Sequence, residues 1–155
     1  MRIQFIKARD TWPLRHRVLR PHQTLDDCDY PNDRNPDSFH LGAMEDQALI
    51  GIASFYREKN PALDDWIQWR LRGMAVEEMF RGNGVGTRMI AFAVDELRMK
   101  RGDVLWCQAR ETAREFYLNL GFSIQGQPFI IDGIGLHHIM FRNLLPVPQP
   151  PGKAH

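Results

Sequence analysis

Apolar and polar side chains alternate along residues 66–76, which read WIQWRLRGMAV. Ile67, Trp69 and Leu71 occupy one side of this alternation, and the other side is mostly polar. A period of two is typical of a β-strand that buries one of its faces. This segment is therefore the clearest predicted strand of the chain.

A helical period follows in residues 85–102, where apolar positions recur every three or four residues. This spacing places them on one face of an α-helix. The predicted buried face consists of Val85, Met89, Ile90, Ala93 and Leu97. Gly102 can end the helix, because glycine readily adopts the left-handed conformation found after helix C-termini.

A continuous apolar run, VLWCQA at residues 104–109, comes next and predicts a buried parallel strand. A second helix is predicted over TAREFYLNLGF, residues 112–122, and Thr112 and Glu115 have the spacing of a capping box. Its predicted buried face consists of Ala113, Phe116, Tyr117 and Leu120. Residues 66–109 thus predict a strand-helix-strand unit, whose two strands are parallel.

Shorter patterns complete the fold. Strands are predicted at residues 3–6, 38–44 and 48–56, and two more lie within residues 122–141, around the turn DGIG. A helix is predicted over residues 10–20, with Asp10 or Thr11 as its cap. The order predicts a single α+β domain over residues 1–143, with a mixed central sheet of about six to seven strands and helices on both faces. The proline-rich tail, residues 144–155, is predicted to be disordered.

Composition narrows the function classes. The chain has 155 residues with 20 basic and 19 acidic side chains, a formal net charge of +1, which argues against a dedicated nucleic-acid binder. No apolar run approaches the roughly 18 residues of a membrane span, and no signal-peptide pattern is present, so we expect a cytoplasmic protein without a membrane partner. Cys28 and Cys107 are expected to be reduced thiols.

A glycine-rich turn joins the best strand to the first long helix. Gly82, Gly84 and Gly86 fall within FRGNGVGTRM, residues 80–89, although glycine inside a helix costs about 1 kcal/mol relative to alanine. At a helix N-terminus, however, unpaired backbone N–H groups bind oxyanions, and glycine lets an anion approach them closely. Arg81, and to a lesser degree Arg88, could add positive charge. The turn therefore predicts a phosphate cradle.

Three other interpretations of this turn fit less well. A Walker A loop needs a lysine after its last glycine, and Thr87 follows Gly86 here. The dinucleotide fingerprint needs its third glycine one position later than Gly86. Its glycines also follow the strand directly, whereas residues 77–81 intervene here. A tight turn without a ligand would leave the surrounding motifs unexplained.

The spacing Arg81-x-x-Gly84-x-Gly86 resembles the Arg/Gln-x-x-Gly-x-Gly/Ala signature of the GNAT superfamily of N-acyltransferases. The segment ETAREFYLNLGF, residues 111–122, is similar to the next helix of that family. The two motifs occur in the family's order, and the predicted elements agree over roughly residues 1–143. The resemblance implies acyl transfer from acetyl-CoA to a primary amine of a small molecule or a peptide, by direct attack on the thioester.

The resemblance also implies site residues. The pantetheine arm would pair with the end of the strand, and the pyrophosphate would meet the glycine-rich turn. The implied coenzyme-binding residues are Met74, Ala75, Val76, Arg81, Gly82, Asn83, Gly84, Val85, Gly86 and Thr87. Tyr117 occupies the position of the family's frequent catalytic tyrosine, a general acid for the departing thiolate. The alternative role for Tyr117 is that of a core aromatic beside Phe116.

The general base remains open at this stage. Glu77, Glu78, His137, His138 and water are the candidates, and Arg70 occupies the position where some family members have a glutamate. His137 and His138 should alternate, one pointing inward and one outward. No metal site is predicted, because two adjacent histidines on a strand cannot comfortably ligate one ion.

Two features bear on the acceptor. Five aspartates lie in residues 26–37, where they could attract a cationic amine or form a solvated loop. Arg70 and Arg72 share one face of the best strand and would suit a carboxylate. A small-molecule amine is the expected partner, and the sequence leaves room for a homodimer. The alternative function is a non-catalytic acyl-CoA sensor on the same fold; a docking role for the tail is a weaker one.

Overall fold

One seven-stranded sheet organises the computed structural model, which describes residues 1–144. Its strands are β1 (Arg2–Ile6), β2 (Phe39–Glu45), β3 (Ala48–Arg57), β4 (Gln68–Val76), β5 (Val104–Arg110), β6 (Ser123–Ile131) and β7 (Gly135–Asn143). The α-helices are α1 (Ala8–Leu14), α2 (Val85–Met99) and α3 (Arg114–Asn119). The predicted mixed α+β fold is confirmed, while the predicted tail lies outside the described residues from residue 145 onward.

The strand order is β1-β2-β3-β4-β5-β7-β6. Every neighbouring pair is antiparallel except β4 and β5, which are parallel and are connected through α2. This confirms the predicted strand-helix-strand unit. In a parallel pair, both strands end at the same edge of the sheet, so the ends of β4 and β5 can build a site together.

Helices cover both faces of the sheet. Ile52 and Ala53 are adjacent and fully buried, yet they belong to different apolar clusters because their side chains point to opposite faces. Ile52 packs with Leu14 of α1, whereas Ala53 packs in the larger cluster formed with α2. The predicted buried face of α2 is confirmed, since Val85, Met89, Ile90, Ala93 and Leu97 are all buried.

The first helix begins earlier than predicted and changes its winding. The predicted cap at Asp10 or Thr11 is wrong, because α1 starts at Ala8 and the Asp10 carboxylate accepts a hydrogen bond from the Lys7 N–H at 3.0 Å. From Arg15–Leu19 the helix widens into a π-helical turn. Such turns are frequent at functional sites, because the extra residue redirects side chains.

The predicted capping box is also wrong. A 3₁₀ turn, Glu111–Ala113, precedes α3, so the residue at the N-cap is Ala113, and no side chain caps the helix. Thr112 lies inside that turn and lines a cavity, while Glu111 binds His138. The capping pattern does not reveal the 3₁₀ turn that contains Thr112 and makes Ala113 the N-cap.

The aspartate-rich segment folds into two 3₁₀ turns, Leu25–Cys28 and Pro31–Arg34. One of its five aspartates is buried, since Asp33 forms an ion pair with Arg15 at 2.7 Å. The segment is therefore not a wholly solvated loop, and this carboxylate is not available to attract a cation. Arg15 also donates to Cys28 O, Ser54 Oγ and Tyr56 Oη, at 2.8, 2.8 and 3.1 Å. This network holds the segment against the sheet.

The same network fixes the charge state of Asp33. Burial by itself would raise the pKa of this carboxyl, but hydrogen bonds from Arg15 and Tyr56 outweigh it and hold the pKa below its usual range. Asp33 is therefore a structural anion.

Across residues 1–144, no helix combines the length and the apolar character needed to cross a membrane.

Candidate active site

The parallel strands β4 and β5 separate toward their ends. Their pairing covers Gln68↔Val104, Trp69↔Leu105 and Arg70↔Trp106, and it does not continue beyond that point. A bulge contributes to the separation, since Gly73 and Met74 of β4 lie opposite the single residue Ala53 of β3. Bulges bend a strand and increase its twist. A wedge-shaped cleft opens between the two strand ends.

Tyr117 lies where two cavities meet in this cleft. One cavity, about 650 Å³, extends from the end of β4 to the glycine-rich turn, and we call it the donor cavity. The other, about 590 Å³, lies toward the aspartate-rich segment, and we call it the acceptor cavity. Both are lined by Met74, Ala113 and Tyr117.

The glycine-rich turn forms an open wall of the donor cavity. Gly84 precedes α2 with a left-handed backbone, φ 79°, and no side chain caps the helix. A Cβ at Gly82 or Gly84 would have no atom within 4 Å, so the space over the turn is free. The first helical N–H groups, which have no partner one turn earlier, face an uncapped terminus.

The structural role of Gly86 differs from that of Gly82 and Gly84. A Cβ at this position would lie 2.9 Å from the ring of Phe116 in α3. The absence of a side chain therefore lets α2 and α3 approach each other. Phe116 also lines the donor cavity, so this close packing shapes its wall.

Most of the predicted coenzyme-binding residues come together. The donor cavity is lined by Met74, Ala75, Val76, Arg81, Gly82, Gly84, Val85, Gly86 and Thr87. Arg81 Nε donates to Val76 O at 3.0 Å, which ties the turn to the end of β4. Asn83 is not in this lining, and its amide points back toward Phe80 O at 3.3 Å.

Arg88 does not contribute to the cradle, contrary to the prediction. Its guanidinium donates to Met1 O at 3.1 Å, on the side of α2 that faces β1. Three further residues line the donor cavity and were not predicted: Val18 on the π-helical turn, Phe80, and Thr112 before α3. They carry no motif, and only the packing of separate elements brings them to the site.

Tyr117 is 7% exposed and packs between Phe116 and Phe122, with ring centroids 5.0 and 5.2 Å away. Its hydroxyl contacts only a weak acceptor among the described residues, the Met74 sulfur at 3.8 Å. Burial, together with the nearby Cys107, raises the pKa of Tyr117 well above its ordinary value. The phenol therefore keeps its proton and has it available for a ligand.

The candidate bases are distributed unevenly. Glu77 pairs with Arg17, and Glu78 is exposed in a 3₁₀ turn; neither lines the two cavities. His137 and His138 are both buried, so the prediction that one points outward is wrong. His137 packs against the ring of Phe129, with centroids 5.9 Å apart, and His138 contacts Glu111. His137 lines the acceptor cavity, while His138 Nε2 is bonded to the Glu111 carboxylate.

The orientation of His137 defines its tautomer. Its Nδ1 lies 2.8 Å from Gly135 O, and a carbonyl oxygen can only accept, so Nδ1 carries the hydrogen. In the neutral ring, Nε2 then has a free lone pair. A base that lines the acceptor cavity is available in this position.

The acceptor cavity has a basic lining. Arg70 and Arg72 share one face of β4, as predicted, and both line it, together with Arg20 and Arg110. Tyr30, from the aspartate-rich segment, also lines this cavity. Within residues 1–144, His, Cys, Asp and Glu side chains form no group of three that could hold a metal ion.

A splayed parallel strand pair with a glycine-rich turn beyond it is the arrangement that the resemblance to acyl-CoA-dependent acyltransferases implies. The model of the acetyltransferase (GNAT) domain family matches residues 21–141. The chain belongs to this family, and the predicted N-acetyltransferase class is confirmed.

A curated relative supports the same assignment. An uncharacterized N-acetyltransferase of Bacillus subtilis strain 168, YitI, is 40% identical over 144 residues, which cover 93% of this chain and 97% of the relative.

Solved structures share the fold at low sequence identity. An aminoglycoside 6'-N-acetyltransferase complexed with coenzyme A has a TM-score of 0.76 and 17% identity, covering 96% of this chain and all of the other. The aminoglycoside 6'-N-acetyltransferase from Enterococcus faecium has a TM-score of 0.74 and 18% identity, with the same coverage.

Proposed function

We propose that this protein transfers an acetyl group from acetyl-CoA to a primary amine of a small molecule or a peptide. The observation that carries the proposal is the position of Tyr117. Tyr117 lines both the donor and the acceptor cavity, and its hydroxyl has no strong acceptor among the described residues. The thioester would sit at this junction, with its sulfur near the hydroxyl.

The donor cavity suits coenzyme A. The pyrophosphate would lie over the open N–H groups of the turn from Arg81 to Thr87. The pantetheine arm would follow β4 beyond Arg70, where pairing with β5 has ended. Since Val76 O accepts from Arg81, pantetheine pairing at this oxygen requires the Arg81 side chain to turn toward the phosphates.

The proposed chemistry is one direct transfer. The amine nitrogen attacks the thioester carbon, the C–S bond breaks, and the sulfur leaves with the bond's electron pair. The Tyr117 hydroxyl donates a hydrogen bond to this developing thiolate. Cys107 also lines the acceptor cavity, but burial raises the pKa of its thiol to about 12. A thiol of that pKa is protonated at neutral pH, which disfavours an acyl-cysteine intermediate.

His137 is the proposed general base. Its Nδ1–H is held by Gly135 O, and its Nε2 lone pair would take the amine proton, directly or through one water. Glu77 and Glu78 do not line the acceptor cavity, which removes the geometric support for either as a base.

The experiment that tests the function measures thiol release from acetyl-CoA in the presence of a panel of amines, with the purified full chain. Amine-dependent release with a matching acetylated product supports the proposal. Tight acetyl-CoA binding without release on any amine would overturn it and favour the alternative, a non-catalytic acyl-CoA sensor.

Gly84→Ala should weaken acetyl-CoA binding by about 10-fold or more. The left-handed backbone at Gly84 strains any side chain, and a methyl group would enter the space proposed for the pyrophosphate. Isothermal titration with acetyl-CoA and with S-acetylpantetheine checks this. S-acetylpantetheine lacks the pyrophosphate, so its affinity should change much less, and equal losses for both would contradict the cradle.

His137→Gln should lower kcat/KM for the amine by about 100-fold near pH 7, because a positioned base contributes on this order. The deficit should shrink as the pH rises toward about 10, where an alkylamine is increasingly neutral without help. Steady-state rates from pH 6 to 10 check the prediction. His16→Gln is the control, since His16 bonds Gln23 O and does not line either cavity. A deficit that stays constant with pH would indicate a structural role.

A further inference from the structure

We propose that the acceptor is a small amine that carries an oxyanion, a carboxylate or a phosphate, and that Arg72 binds this group. The inference rests on the proposed function and adds the substrate class. It differs from what the charge of the aspartate-rich segment alone suggests, a cationic amine.

The acceptor cavity is lined by basic side chains. Its lining includes four arginines and two histidines, and no aspartate or glutamate from the described residues. The arginines are Arg20, Arg70, Arg72 and Arg110. Three of these arginines have no carboxylate partner among the described residues, so a polycation would meet like charges in this cavity, whereas an anion would neutralise them.

Arg70 and Arg72 differ in whether a carboxylate neutralises them. Arg70 is already neutralised, because its guanidinium pairs with Glu58 at 2.9 Å and lies 5.0 Å from the centre of the Trp106 ring. Arg72 has no ion pair with any carboxylate of residues 1–144; it lies against the Tyr30 ring, 4.3 Å from its centre. The uncompensated cation of this strand face is therefore Arg72.

The surroundings of Tyr30 reinforce this difference. The Arg15 guanidinium also lies 4.0 Å from the centre of the ring, and Arg20 Nε donates to the Tyr30 hydroxyl at 3.2 Å. Arg15 has Asp33 as its counter-ion, so one ring orders a paired and an unpaired guanidinium. Burial and the neighbouring Arg70 lower the pKa of Arg72, which is the response of a cation that lacks an anion.

Arg72 lies close to the proposed position of the thioester at Tyr117. Arg72 precedes Met74 by two positions on β4, and the Met74 sulfur contacts the Tyr117 hydroxyl. Arg72 and Met74 are separated by the bulge, so their Cα atoms are at most about 7 Å apart. An amine at the junction and an oxyanion on Arg72 would therefore be joined by a few atoms, as in an amino acid or a short amino phosphate.

The test compares matched acceptors with the purified full chain and acetyl-CoA. Amino acids are paired with their carboxamides, and O-phosphoethanolamine, spermidine and an aminoglycoside complete the panel. We expect kcat/KM for an amino acid or the amino phosphate to exceed that of the carboxamide by about 10- to 100-fold, the range for charge-assisted hydrogen bonds. Comparing the carboxylate and phosphate arms identifies the oxyanion.

Arg72→Gln should remove this preference by raising KM for the anionic acceptor about 10-fold or more, with acetyl-CoA affinity unchanged as a measure of intact folding. Arg72→Lys should recover part of it, since lysine keeps the charge but not the bidentate geometry. Arg57→Gln is the matched control, because Arg57 is exposed at the end of β3 and lines neither cavity.

The outcomes separate the two proposals. Turnover of cationic or uncharged amines in preference to anionic ones would overturn the anionic acceptor and leave the N-acetyltransferase proposal standing. A preference for the anion that survives in Arg72→Gln would overturn the role of Arg72. Acetyl-CoA binding without turnover of any amine would overturn both.

Discussion

Tyr117→Phe is expected to lower kcat by about 100-fold while changing the dissociation constant of acetyl-CoA by less than about 3-fold. The substitution removes only the hydroxyl, whose one hydrogen-bond partner in the described chain is the Met74 sulfur. The ring keeps its packing against Phe116 and Phe122, so the cavity walls should persist. Single-turnover rates and titration calorimetry with acetyl-CoA measure the two quantities separately.

The nature of the leaving group offers a sharper readout for Tyr117. An ordinary thiol has a pKa near 8.5, and burial raises the pKa of this phenol well above 10, so complete proton transfer to the thiolate is uphill. Stabilisation by a hydrogen bond is then the main contribution. An acetyl thioester of a more acidic thiol needs less of this help, and Tyr117→Phe should affect it less. Equal losses for both donors, or a wild-type kcat, would contradict the assignment.

Much of the fold was predictable because periodicity reports burial. The alternation around Trp69 and the helical spacing from Val85 to Leu97 mark which side faces the core, and they determine the parallel unit. The glycines of the turn were equally informative, since their function is local: backbone conformation at Gly84 and close approach at Gly86.

The remainder depends on contacts between distant segments, which local patterns do not encode. Arg88 follows the glycine-rich turn and could have added charge to it beside Arg81, but it lies on the side of α2 that faces Met1. His138 was predicted to alternate with His137 in exposure, yet both are buried, His137 against Phe129 and His138 against Glu111. Tyr30 belongs to a segment without periodicity, and only the buried Arg15 network brings it to the acceptor cavity.

Asp33→Ala is expected to lower the free energy of unfolding by about 3–5 kcal/mol, the usual effect of removing one partner of a buried ion pair. The Arg15 side chain is fully buried and that of Asp33 is 3% exposed, so the remaining guanidinium would have no counter-ion and little water. Tyr56 would also lose its acceptor, because its hydroxyl donates to Asp33 at 2.5 Å. Urea unfolding followed by circular dichroism measures the loss.

A matched control lies in the same segment. Asp29 pairs with Arg34 at 2.7 Å, but their side chains are 29% and 68% exposed, so water screens this pair. Asp29→Ala removes the same charge and should change stability by no more than about 1 kcal/mol. Replacing both Arg15 and Asp33 by apolar residues should recover part of the loss, because the unpaired charge is then absent.

The pH dependence of this stability has a defined sign. The pKa of Asp33 is lower in the folded protein than in the unfolded chain, so its contribution is complete above the unfolded value of about 3.9. That contribution is lost as the pH falls further, through the folded value. Asp33→Asn should therefore be less stable than wild type at neutral pH and should lose less stability on acidification.

Since the network also positions Tyr30 against Arg72, the Asp33→Asn variant should have a higher KM for the acceptor and an unchanged affinity for acetyl-CoA. A variant as stable and as active as Asp29→Ala would show that the segment is held in place by other contacts.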